Sequence, residues 1–120
     1  DSLKSGNKVN KVDPLLNSLF RPSIQPYLIS WFKYDPQAEI KKLTAPVLII
    51  QGNNDLQVSV KDAENLSQAN KNSELVIVDK MNHVMKIIDG DKQANMASYN
   101  NENLPISETL TNKIVSFIKK

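Results

Sequence analysis

Apolar residues along this chain keep two different spacings. Val12, Leu15, Leu16, Leu19 and Phe20 recur at helical intervals behind Asp13-Pro14, a cap residue followed by a proline suited to a first helical turn. Arg21-Pro22 ends that helix. Ile24, Tyr27, Leu28, Trp31 and Phe32 form a second stripe, with Pro26 near its start. Asp35-Pro36 repeats the cap signal and predicts a short helix over 36–43, closed off before Pro46. The spacing then changes. Val47-Leu-Ile-Ile-Gln51 and Leu75-Val-Ile-Val-Asp79 are continuous apolar runs, the pattern of strands buried on both faces. Gly52-Asn-Asn-Asp55 is turn chemistry, and Ser59 with Asp62 resembles a capping box opening a helix through about Lys71. Ala63, Leu66 and Ala69 line its buried face. Ser107 caps a last helix with Leu110, Ile114, Phe117 and Ile118 on one face, and Lys119 and Lys120 suit its C-terminal dipole. Two polar stretches remain: 1–12, expected to fray, and 84–106, expected to be a long asparagine-rich loop.

Strand, helix, strand in that order predicts a right-handed βαβ unit with parallel strands, so the fold class is α/β. The two N-terminal stripes read either as small helices packing on a core or as a lid over a pocket. The expected division is 1–34, a lead-in and helical segment, and 35–120, the α/β part.

Composition narrows the chemistry. The chain has 120 residues, 40% hydrophobic and 23% charged, with a formal net charge of +2. That is one soluble domain's worth at most. Lysines are scattered and Arg21 is the single arginine, so no basic stripe of the nucleic-acid type is present. The longest apolar run, Val47–Ile50, is far too short for a membrane span. No cysteine occurs, which removes disulfides, thiolate metal sites and thiol nucleophiles. With one histidine, a metal site is not expected, and Asp89-Gly90-Asp91 reads as a turn. Only three glycines occur, Gly6, Gly52 and Gly90, so a phosphate-cradling glycine loop is not expected and no cofactor is implied.

One constellation carries chemistry. Asp55 lies four residues after the first strand run and His83 four residues after the second. Parallel strands about 5–10 Å apart send both following loops off the same edge, where open α/β sheets place their ligands. A carboxylate facing a neutral imidazole fixes its tautomer and stabilises the imidazolium during proton transfer.

Those residues also resemble a known family. Ala45-Pro-Val-Leu-Ile-Ile-Gln-Gly-Asn-Asn-Asp-Leu-Gln-Val-Ser-Val resembles the acid-bearing strand and turn of α/β-hydrolases, and Met81-Asn-His-Val84 resembles their histidine loop. The segment 19–36 resembles the end of a cap and the return to the core. The likeness covers about 9–120 and is closest to bacterial serine-aminopeptidase-like and esterase-like members. It implies that Asp55 is the triad acid and His83 the general base, and it favours the lid reading of the N-terminal stripes. The nucleophile elbow of that family needs Gly-x-Ser-x-Gly before the acid. No serine here has those flanking glycines. The expectation is therefore the C-terminal portion of a serine hydrolase acting on a small-molecule acyl ester, less readily on an amide, and inactive by itself. Tyr27, Trp31, Phe32 and Met85 are candidate pocket-lining groups. The alternative is a non-catalytic assembly module, which dimerises or pairs with a missing N-terminal half through its unpaired sheet edges. Localisation is left open.

Overall fold

The computed structural model describes all of residues 1–120 and divides the chain into two units, Asp1–Glu39 and Ile40–Lys120.

In the first unit, a 3₁₀ turn at Pro14–Leu16 leads into α1 (Asn17–Phe20), and α2 (Gln25–Trp31) follows. The Asp13 carboxylate caps the turn, accepting from the Leu15 N–H at 2.9 Å. Residues 1–12 do not form the expected frayed lead-in. The fully buried Gln25 side chain donates to the carbonyls of Val9 and Phe20 and accepts from the Val9 N–H, all within 2.8 Å. This carboxamide pairs with an irregular backbone much as a neighbouring strand would, and Leu3 is buried as well. The apolar stripes stay open: Leu15, Leu19 and Trp31 are 89%, 63% and 60% exposed. A unit of this size has too little interior to bury two of them.

Helix α3 (Pro36–Ile40) is shorter than the predicted 36–43. The Asn70 side chain takes its place as partner, donating to the carbonyls of Ile40 and Leu43, so the helix has no need of another turn.

In the second unit, β1 (Val47–Gly52), α4 (Val60–Ala69) and β2 (Ser73–Val78) form a two-stranded parallel sheet with one crossover helix. The capping box at Ser59 and Asp62 is complete in both directions, and Ala63 is the buried residue of α4. The register pairs Ile50 with Val76 and Gly52 with Val78. Alternation puts these on one face, where Val76, Val78 and Ile50 pack with Met81 and Leu110. Leu110 belongs to α6 (Glu108–Ile118). The strands are not buried on both faces as their sequence suggests. Only Gln51, Gly52 and Val78 are buried, and Ile77 is 40% exposed, because two strands leave two free edges and little cover. Lys120, just past the end of α6, has further partners. It pairs with the Glu74 carboxylate on β2 and lies over the Phe117 ring.

The expected long loop contains a helix, α5 (Lys92–Ser98), capped by Asp91. Its buried residues are Asn95 and Ser98, so no apolar period announces it. No helix of the protein is long and apolar enough to cross a membrane.

At the ends of the two strands the backbones meet. A Cβ on Gly52 would lie 1.9 Å from the Met81 carbonyl oxygen. Backbone on both sides leaves nothing flexible to yield. Gly52→Ala is expected to cost at least about 2 kcal/mol, read as a lower urea midpoint. An unchanged midpoint would contradict this contact.

Candidate active site

Asp55 sits in the turn that follows β1, and this turn is built to hold a carboxylate. Its Oδ1 accepts from the backbone N–H groups of Gln57 at 2.7 Å and Val58 at 3.0 Å. Its Oδ2 accepts from Gln51 Nε2 at 3.2 Å and faces His83 Nδ1 at 3.0 Å. Gln51 is itself buried and also donates to the carbonyls of Gly52 and Val58. Burial pushes the Asp55 carboxyl up, but the hydrogen bonds from Val58, Gln57, His83 and Gln51 outweigh it and hold the group below the usual carboxylate range. Asp55 is therefore an anion aimed at one imidazole nitrogen. With the proton on Nδ1, His83 donates to Asp55 and leaves Nε2 as a base. The His83 side chain is 38% exposed and the Asp55 side chain 8%, so the imidazole reaches solvent while the carboxylate does not.

The two residues meet at different offsets from those read in the sequence. The register pairs Gln51 with Ile77, so Asp55 lies four residues and His83 six residues beyond matched positions. The extra length is a small loop of its own. Met81 bridges Ile87 in antiparallel fashion, and the Asn82 N–H donates to the Lys86 carbonyl at 3.0 Å. Asn82 Oδ1 accepts from the Lys86 N–H, and Met85 takes a positive φ of 65° to close the turn. His83 follows Asn82 in this loop, which α6 also holds: the Ser107 N–H donates to the Met85 carbonyl at 2.8 Å.

The structure brings together Asp55 and His83, the two residues singled out in the sequence, with side chains around them that sequence reading misses. Gln51, Asn54, Asn82, Asn95 and Ser98 form a hydrogen-bonded scaffold around the pair. The one available signal is the asparagine richness of 84–106, which reads as loop composition. A pocket of about 200 Å³ adjoins the pair, lined by Ile50, Val58, Met81, Met85 and Leu110 among others. Met85 is thus a pocket wall. Tyr27, Trp31 and Phe32 belong to the Asp1–Glu39 unit, where Phe32 lines a separate cavity of about 430 Å³. No cluster of three or more His, Asp or Glu side chains is placed to hold a metal ion. Asp89 pairs with Lys80.

No protein-family model, curated protein or solved structure matches this chain.

The depressed Asp55 carboxyl has a consequence for stability. A group whose folded value lies below its unfolded value stabilises the protein above the unfolded value and loses that contribution as pH falls through the folded one. The loss begins at the ordinary carboxylate range and continues below it. Asp55→Asn should therefore flatten the fall in urea-unfolding free energy between about pH 5 and pH 2. A slope as steep as wild type would show that Asp55 is not held as an anion.

Proposed function

We propose that Asp55 and His83 are the acid and base of a serine hydrolase of the α/β-hydrolase type, acting on small-molecule acyl esters. The nucleophilic serine is supplied by polypeptide outside these 120 residues, since none of the serines here stands in a Gly-x-Ser-x-Gly elbow. The observation that carries the reading is the 3.0 Å contact between Asp55 Oδ2 and His83 Nδ1, with the other carboxylate oxygen saturated by two backbone amides. The parallel strands that precede the two loops and the pocket beside the pair support it.

In this mechanism His83 Nε2 takes the serine hydroxyl proton as the oxygen attacks the ester carbonyl. Asp55 holds the Nδ1–H and balances the imidazolium. The alcohol leaves with the proton from Nε2. Water then repeats the sequence on the acyl-enzyme and frees the acid. In a polypeptide joining this chain to its nucleophile, His83→Ala should lower kcat on p-nitrophenyl acyl esters by roughly 10⁴-fold or more, with folding intact. The 120-residue chain alone should give no turnover. Near-normal hydrolysis by the folded variant, or phosphonate-sensitive hydrolysis by the isolated chain, would defeat the assignment.

A second reading, assembly through the sheet, draws on a different observation. Val47–Ile50 is wholly apolar yet only half-buried, and both sheet edges are unpaired. It predicts a concentration-dependent dimer by light scattering after size exclusion. A stable monomer across the concentration range would reject it.

A further inference from the structure

Asn82, Asn95 and Ser98 are at most 3% exposed, and no buried polar side-chain atom in the molecule lacks a partner. Their hydrogen bonds run across the site. Asn95 Nδ2 donates to the Asn54 carbonyl at 2.6 Å, and Asn95 Oδ1 accepts from Asn82 Nδ2 at 3.2 Å. Asn54 immediately precedes the acid and Asn82 immediately precedes the base. One buried carboxamide on α5 therefore bridges the neighbours of both.

Two other bonds also tie Asn54 to the chain around the histidine loop, from its N–H to the Met81 carbonyl at 3.1 Å and from its Nδ2 to the Ile88 carbonyl at 3.0 Å, but neither reaches Asn82. Gln51 holds Asp55 from the β1 side, and its other hydrogen bonds go to the Gly52 and Val58 carbonyls rather than to the histidine loop. Ser98 Oγ accepts from Asn82 at 2.7 Å and does not reach Asn54. Lys86 Nζ donates to the carbonyls of Ser98 and Asn101 at 2.9 and 2.6 Å, tying the far side of the histidine loop to the end of α5. The bridge needs a donor at one end and an acceptor at the other on one short side chain. Asparagine supplies that arrangement, whereas ionised aspartate supplies acceptors only.

We propose that Asn95 is a positioning residue whose carboxamide locks the Asp55 turn to the His83 loop and thereby keeps the imidazole in its Nδ1–H tautomer against Asp55. It touches no reacting atom. The inference rests on the acid–base reading of the pair, and its test reads the pair directly.

His83 is the only histidine, so its imidazole ¹⁵N and ¹H resonances are unambiguous in the intact chain. At a pH where the ring is neutral, wild type should show mainly the Nδ1–H tautomer with a slowly exchanging Nδ1 proton. Asn95→Ala removes both bridging hydrogen bonds and should give a tautomer mixture and at least about tenfold faster exchange, the factor that losing one buried hydrogen bond would already supply. Ser98→Ala, which removes a buried hydrogen bond from the same network but spares Asn54, should keep the wild-type tautomer. A folded Asn95→Ala protein with wild-type tautomer and exchange would overturn the proposal, as would an equal change in Ser98→Ala. Should Asn95→Ala fail to fold, the wild-type side chain decides. Slow exchange of at least one Asn95 Nδ2 proton is expected, and rapid exchange of both would overturn it. None of these signals depends on ester hydrolysis. A wrong hydrolase reading would leave the tautomer signature intact and appear only in the turnover assay.

Discussion

The Met81 carbonyl rests where a side chain on residue 52 would be, and the geometry of the site depends on that vacancy. The Asn54 N–H donates to this carbonyl at 3.1 Å, and the Asn53 N–H donates to the Val78 carbonyl at 3.2 Å. The chain leaving β1 is thus bonded, backbone to backbone, to the chain leaving β2. Two short connections that share an edge of a sheet need not touch. Here they touch at once, so the residues a few positions further on have little freedom in how they face each other. Asn53 strengthens the join by bonding both the Asp79 carboxylate and the Lys80 N–H.

The interior of the second unit is as polar as it is apolar. Ala63, Val78, Met81, Ile88 and Leu110 are its buried hydrophobics, beside buried Gln51, Asn70, Asn82, Asn95, Ser98 and Ser107. Hydrophobic contact is non-directional and tolerates sliding, whereas a buried amide accepts a narrow set of partners and angles. A small unit that must hold a carboxylate and an imidazole within hydrogen-bonding distance gains more from direction than from area. The apolar cluster under the site supplies cohesion, and the amides supply aim.

The parts of this architecture that were legible in the sequence are those built on apolar period or cap chemistry. The runs at 47–51 and 75–79 announce the strands, and Ser59 with Asp62 announces the start of α4. Asp55 and His83 stand out because each follows a strand. The rest is written in asparagine and glutamine. Those residues populate loops and buried networks alike, and spacing does not tell the two apart. Helix α5 buries Asn95 and Ser98 rather than leucines, so it reads as loop. Gln25 pins a segment whose lysine-rich sequence suggests fraying. The strands are less buried than their pattern suggests because a continuous apolar run reports what a strand could bury, and a two-stranded sheet covers less.

The bond from the Ser107 N–H to the Met85 carbonyl gives the site a direction in time. During synthesis the strand-and-turn segment carrying Asp55 emerges first and can cap its own carboxylate from Gln57 and Val58. The histidine emerges later, and its loop is held by residues 95, 98 and 107, all made after it. The carboxylate is thus held by amides two and three positions after it, whereas the loop of the imidazole depends on a partner twelve positions beyond the histidine.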